Sequence, residues 1–136
     1  MDAERAFAGA ARARRRASLM ALAHRRPACR LAVFDERALP PADASPRRGV
    51  REIPLDAIGA TLEPNRAEQF DCGFRPTPLV RGRWQRVWLA EQRGVVLPPI
   101  SVVPVGDGYA VRDGHHRISV ARARGALTID AIIEAI

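Results

Sequence analysis

The sequence predicts an α+β domain, a small sheet flanked by helices and preceded by a basic N-terminal helix. Three observations predict it. The last forty residues alternate in the order β-β-α-β, the segment around Trp84 and Trp88 has helical spacing, and the first 24 residues are Ala- and Arg-rich with no proline. The 136 residues fit one compact unit, and 47% hydrophobic residues are enough to build its core.

Each element has its own warrant. Ala3 to about His24 favours helix, with Asp2 placed to cap it. Arg12, Arg14, Arg15 and Arg16 go almost all the way round that helix, which reads as a solvated basic surface. Leu31 to Phe34 predicts a short strand. Pro40, Pro41, Pro46 and Gly49 mark a linker, so the expected division is an N-terminal appendage at 1–39, a linker at 40–50 and the main unit at 51–136. Ile53, Leu55 and Ile58 suggest a brief strand leading into a turn or short helix, at a sheet edge because Pro54 cannot donate to a ladder. Glu63 to Pro76 carries turn residues and scattered charge, and is expected to be exposed unless a ligand orders it. A helix is predicted from about Arg81 to Arg93, stopped by Gly94, with both tryptophans on one face. Ile100 to Val105 and Tyr109 to Arg112 flank Gly106-Asp107-Gly108 as a β-hairpin. A short helix after Asp113-Gly114, closed by Gly125, and a strand over Leu127 to Ile133 complete the chain.

Composition narrows the function. All 22 basic residues are Arg, against 15 acids, giving a formal charge of +7. That favours a polyanionic partner, although an Ala-rich, Lys-free chain also carries the mark of a GC-rich genome. Aromatic residues make up only 5%, too few for a groove that stacks successive bases. Cys29 and Cys72 form no CxxC pair and read as two ordinary thiols in a reducing compartment, Cys29 as a small buried hydrophobe. Prolines 98, 99 and 104 interrupt the most apolar stretch well short of the roughly 18 to 20 residues of a membrane span, and the expected location is cytoplasmic. No Walker-type loop or Rossmann fingerprint is present.

The motif that carries chemistry is Asp113-Gly114-His115-His116-Arg117. A strand passing directly into a helix leaves unpaired N–H groups at the helix N-terminus, where the macrodipole adds positive charge. Gly114 admits a phosphate oxygen, Arg117 offers a guanidinium fork, and His115 or His116 adds hydrogen bonds or moves a proton. The bland alternative is that Asp113 merely caps the helix. No metal site is expected, because adjacent histidines diverge on a helix and lack i, i+4 spacing.

This motif, with Ile53 to Ile58, Pro98 to Val102 and the run Tyr109 to Gly125, resembles the ParB/sulfiredoxin superfamily over about the last two-thirds of the chain. The resemblance implies a small mixed sheet and a phosphate-binding corner. Gly114 to Arg117 stands where ParB N-terminal domains have Gly-Glu-Arg-Arg and bind CTP, and where sulfiredoxins have Gly-Cys-His-Arg and use the cysteine. It is most similar to the Asp-Gly-His-Thr-Arg of free serine kinases. His115 in place of the sulfiredoxin cysteine excludes reduction of a sulfinic acid. With no helix-turn-helix after the fold, a complete partitioning protein that reads an operator is not expected. The resemblance therefore implies a nucleotide-binding, ParB-like domain acting as a switch or DNA-associated factor. Asp113, Gly114, His115, His116 and Arg117 would hold the phosphates of a nucleotide di- or triphosphate with Mg²⁺, and the net charge would give salt-sensitive DNA affinity. The alternative is a phosphotransferase or nucleotide hydrolase using His115 and a carboxylate base, Glu63 or equally Glu68 or Asp71. A non-catalytic interaction module is the third reading. None of the three involves a membrane, and none specifies an oligomeric state.

Overall fold

The computed structural model describes residues 2–38 and 49–134. Helix α1 spans Ala3–Ala23, and Asp2 caps it by accepting a hydrogen bond from the Arg5 N–H. Strands β1 (Ala32–Val33), β2 (Val50–Pro54) and β3 (Ile58–Thr61) follow, with a 3-10 turn at Leu55–Ala57 between the last two. Next come α2 (Pro64–Ala67), α3 (Arg81–Gln92), the β4–β5 hairpin (Ile100–Val105 and Gly108–Asp113), α4 (His115–Ala123) and β6 (Thr128–Ile133). The six strands form one mixed sheet in the order β1-β3-β5-β4-β6-β2. β5 lies at its centre, antiparallel to β4 and parallel to β3, while β6 runs parallel to β4 and antiparallel to the edge strand β2. The α+β class, the hairpin, α3, α4 and the last strand agree with the sequence.

The division into an appendage and a main unit does not describe the packing. Ala3, Ala6, Phe7 and Ala11 of α1 belong to the same buried cluster as Trp84, Ile100, Val111 and Ile118. Phe7 meets the Trp84 ring edge-on at 5.5 Å between centroids, and Trp84 stacks on Trp88. β1 pairs with β3, so the N-terminal segment also supplies one edge of the sheet. The weak apolar patterning of α1 hid this contact, because alanines present little hydrophobic contrast and Phe7 is its one large buried anchor. Most of the expected linker lies outside the described residues.

Two further expectations are corrected. Cys29 and Cys72 are joined in a disulfide, and Cys29 is exposed rather than buried. The cause is a bridge between Arg30 and Asp71 with a Cys72 N–H to Cys29 carbonyl bond, which brings the two Cα atoms to 5.3 Å, within disulfide reach. The reading of a reducing compartment rested on free thiols and loses that support. The stretch Glu63 to Pro76 is not an exposed loop, because Phe70, Phe74 and Pro76 are buried and α2 opens it. Asp71 clasps its turn: one carboxylate oxygen accepts from the N–H groups of Gly73 and Arg75, and the other from Arg75 Nε at 2.8 Å. β3 was not anticipated either, since Ile-Gly-Ala-Thr is a four-residue strand of mostly small residues with no alternation of apolar and polar side chains. Among the described residues no helix is long and apolar enough to cross a membrane.

Candidate functional site

β5 ends at Asp113 and α4 starts at His115, with Gly114 between them in the left-handed region at φ 118°. A Cβ on Gly114 would lie 2.4 Å from Ile100 Cγ2, so the chain passes against β4 where only glycine fits. Gly114 is the N-cap of α4, and no side chain caps the helix. Its first turn therefore presents N–H groups with no side-chain acceptor, backed by the dipole of a nine-residue helix.

The Asp113 carboxylate does not cap the helix. It pairs with Arg117 at 3.0 Å and is largely exposed. Arg117 in turn donates to the carbonyls of Pro98 and Pro99, at 2.5 and 3.1 Å. The guanidinium read as a phosphate fork thus ties α4 to the segment entering β4 in this conformation.

The two histidines face inward. His115 is 3% exposed, with Nε2 2.7 Å from Thr61 Oγ1 and its ring stacked on Phe70. His116 is 7% exposed and meets Phe70 edge-on. Burial is the main cause that pushes the His115 pKa down to about 3, with Arg66 adding repulsion. Burial likewise lowers His116 to about 4, helped by Arg83 and Arg66. Both rings are neutral at pH 7.

Thr61 connects the third candidate to this corner. Its Oγ1 accepts the Glu63 N–H at 2.9 Å while contacting His115, so Glu63 stands beside the buried ring with its own side chain exposed. Glu68 is exposed as well, whereas the carboxylate of Asp71 is consumed by its turn. Among the described residues no group of three or more His, Cys, Asp or Glu side chains could hold a metal ion.

Sequence reasoning missed five residues of this corner. Thr61, Phe70 and Phe74 build the wall behind His115, and Arg66 and Arg83 place positive charge near both rings. Phe70 and Phe74, four apart and apolar, were a readable signal. The arginines had none, being two among 22.

No protein-family model matches the chain, and no curated protein matches it. Among solved structures it is similar to the sulfiredoxin of Arabidopsis thaliana, at 21% identity and a TM-score of 0.47, over 65% of this chain and 86% of that one. That likeness assigns no residue a role.

Proposed function

We propose that the chain binds the phosphates of a nucleotide where β5 turns into α4, and works as a ligand-controlled switch or DNA-associated factor. The observation that carries this reading is the uncapped first turn of α4, set over two neutral histidines with Arg66 and Arg83 nearby. Backbone N–H groups and these arginines hold the phosphates, and Gly114 keeps a side chain out of the way. Mg²⁺ enters with the nucleotide as its counterion. His115 and Thr61 shape the corner from behind.

The test is a thermal-shift panel of CTP, ATP, ADP, GTP and inorganic phosphate with Mg²⁺, on the wild type and on the double variant Arg66→Ala, Arg83→Ala. A ligand bound only by the folded chain raises its melting temperature by mass action. A shift with one nucleotide that the double variant loses supports the reading. No shift with any member of the panel removes it.

The position of Glu63 favours a second reading, a phosphotransferase or nucleotide hydrolase in which that carboxylate acts as the base. Mg²⁺-dependent release of a nucleotide product that disappears in Glu63→Ala decides for it. Absence of turnover with every nucleotide that binds decides against it. For the DNA role, affinity should fall steeply with salt and change when nucleotide is added. DNA binding indifferent to nucleotide would rule out the switch.

A further inference from the structure

Behind α4 lies an open groove of about 970 Å³ whose lining includes none of residues 113–117. Its floor holds Trp88 of α3 and Ser119 of α4, and one wall is the small-residue side of α1 around Ala6, Gly9 and Ala13. Arg5, Arg12, Arg75 and Arg122 stand along it, and no acidic side chain does.

The charge is only partly answered from outside. Arg75 pairs with Asp71 and Arg122 with Asp56. Arg5 has only an exposed Asp2 at 4.0 Å, and Arg12 has no ion pair among the described residues. The groove is thus short of negative charge, while its alanine wall suits an apolar body. Its volume is that of a site for a small organic molecule.

We infer that this groove binds a small amphipathic organic anion, an apolar or aromatic body carrying a carboxylate or phosphate head that meets the arginines. The site is distinct from the α4 N-terminus, of whose wall it shares only Phe74, and its test does not depend on the nucleotide reading.

The experiment follows tryptophan fluorescence of the full chain during titration with decanoate, decyl phosphate, decanol and decyltrimethylammonium, all below micelle-forming concentrations. Saturable binding is expected for an anion and not for the cation or the alcohol. Response to decanoate alone assigns a carboxylate ligand, to decyl phosphate alone a phosphate ligand, and to both an anion of either kind.

Two variants localise it. Gly9→Leu fills the groove and should abolish binding. A Cβ there meets only the Arg12 guanidinium at 4.0 Å, and leucine is the better helix former, so the variant folds. Arg12→Glu should weaken binding about tenfold, the scale of reversing one exposed charge beside an anion. The Arg66→Ala, Arg83→Ala variant should bind as the wild type does. The inference is overturned if the cation or the alcohol binds as well as the anions, if none binds, or if Gly9→Leu binds them unchanged.

Discussion

Replacing Gly114 by alanine tests how the corner is built. At φ 118° an alanine is strained, at about 1 to 3 kcal/mol for a sparsely populated conformation. Its Cβ would also lie 2.4 and 2.8 Å from Ile100 Cγ2 and Cβ, closer than carbon atoms approach without movement. Ile100 is fully buried in β4 and cannot swing into solvent, so overpacking adds about 1 to 3 kcal/mol. The sum is about 4 kcal/mol, a loss on the order of 15 °C in melting temperature for a domain of this size. Gly125 is the control. It too has positive φ, 79°, but nothing lies within 4 Å of its Cβ position, and Gly125→Ala should cost only about 1 kcal/mol. Urea denaturation of both variants, and of Gly114→Ala combined with Ile100→Ala, separates strain from overlap. The double variant should lose less than the sum of the single ones, because truncating Ile100 makes room. If the two glycine variants fell within 1 kcal/mol of each other, close packing of Gly114 on β4 would be the wrong account of the corner.

Three other outcomes follow from the same contacts. Each histidine has a folded-state pKa, about 3 for His115 and about 4 for His116, below its unfolded value near 6.5. Their stabilisation is therefore complete above about pH 6.5 and is lost as pH falls toward those values, with a slope of up to about 1.4 kcal/mol per pH unit for each ring. Urea midpoints between pH 4 and 8 check it, and NMR titration of either ring near pH 6.5 would contradict it. Reducing the Cys29–Cys72 bridge, or the pair Cys29→Ser and Cys72→Ser, should cost up to about 4 kcal/mol for a separation of 43 residues. An unchanged melting temperature in dithiothreitol would argue that the bridge does not form. Phe7→Ala should destabilise the whole chain by about 3 to 5 kcal/mol in one cooperative transition, whereas a helix that merely hangs off the domain would cost almost nothing.

Legibility followed contrast in the sequence. The hairpin was readable because Ile100 to Val105 and Tyr109 to Val111 are dense in β-branched residues and flank a Gly-Asp-Gly turn. α3 was readable because Trp84 and Trp88 sit one turn apart against a polar background. β3 was not, since it is four residues long and its Gly59 and Ala60 give no strand signal. The corner itself was legible as a local motif, and what surrounds it was not. Thr61 and His115 are 54 residues apart, and no local pattern announces a hydrogen bond across that distance. The docking of α1 was hidden because the helix packs through alanines and one phenylalanine.

The arrangement of Arg117 decides how the corner should be probed. From sequence this arginine is the natural choice for a phosphate contact, and Arg117→Ala the natural test. In the fold its guanidinium holds the carbonyls of Pro98 and Pro99 and the Asp113 carboxylate together. Removing it leaves acceptors at the entry to β4 without their donor, next to the Ile100 side chain that Gly114 packs against. Loss of ligand binding in Arg117→Ala would then follow from a loosened β4–α4 junction as readily as from a lost contact. Arg66 and Arg83 carry a lighter burden: neither forms an ion pair among the described residues, Arg66 donates one hydrogen bond to Gln69 three residues on, and Arg83 is exposed. Both nevertheless repel protons from His115 and His116, so their charge reaches the corner. Arginines that shape the local potential without tying two strands or helices together are the ones whose removal best isolates binding. Loss of a nucleotide-induced thermal shift in the Arg66→Ala, Arg83→Ala variant, with its unliganded melting temperature unchanged, is for that reason the sharper result.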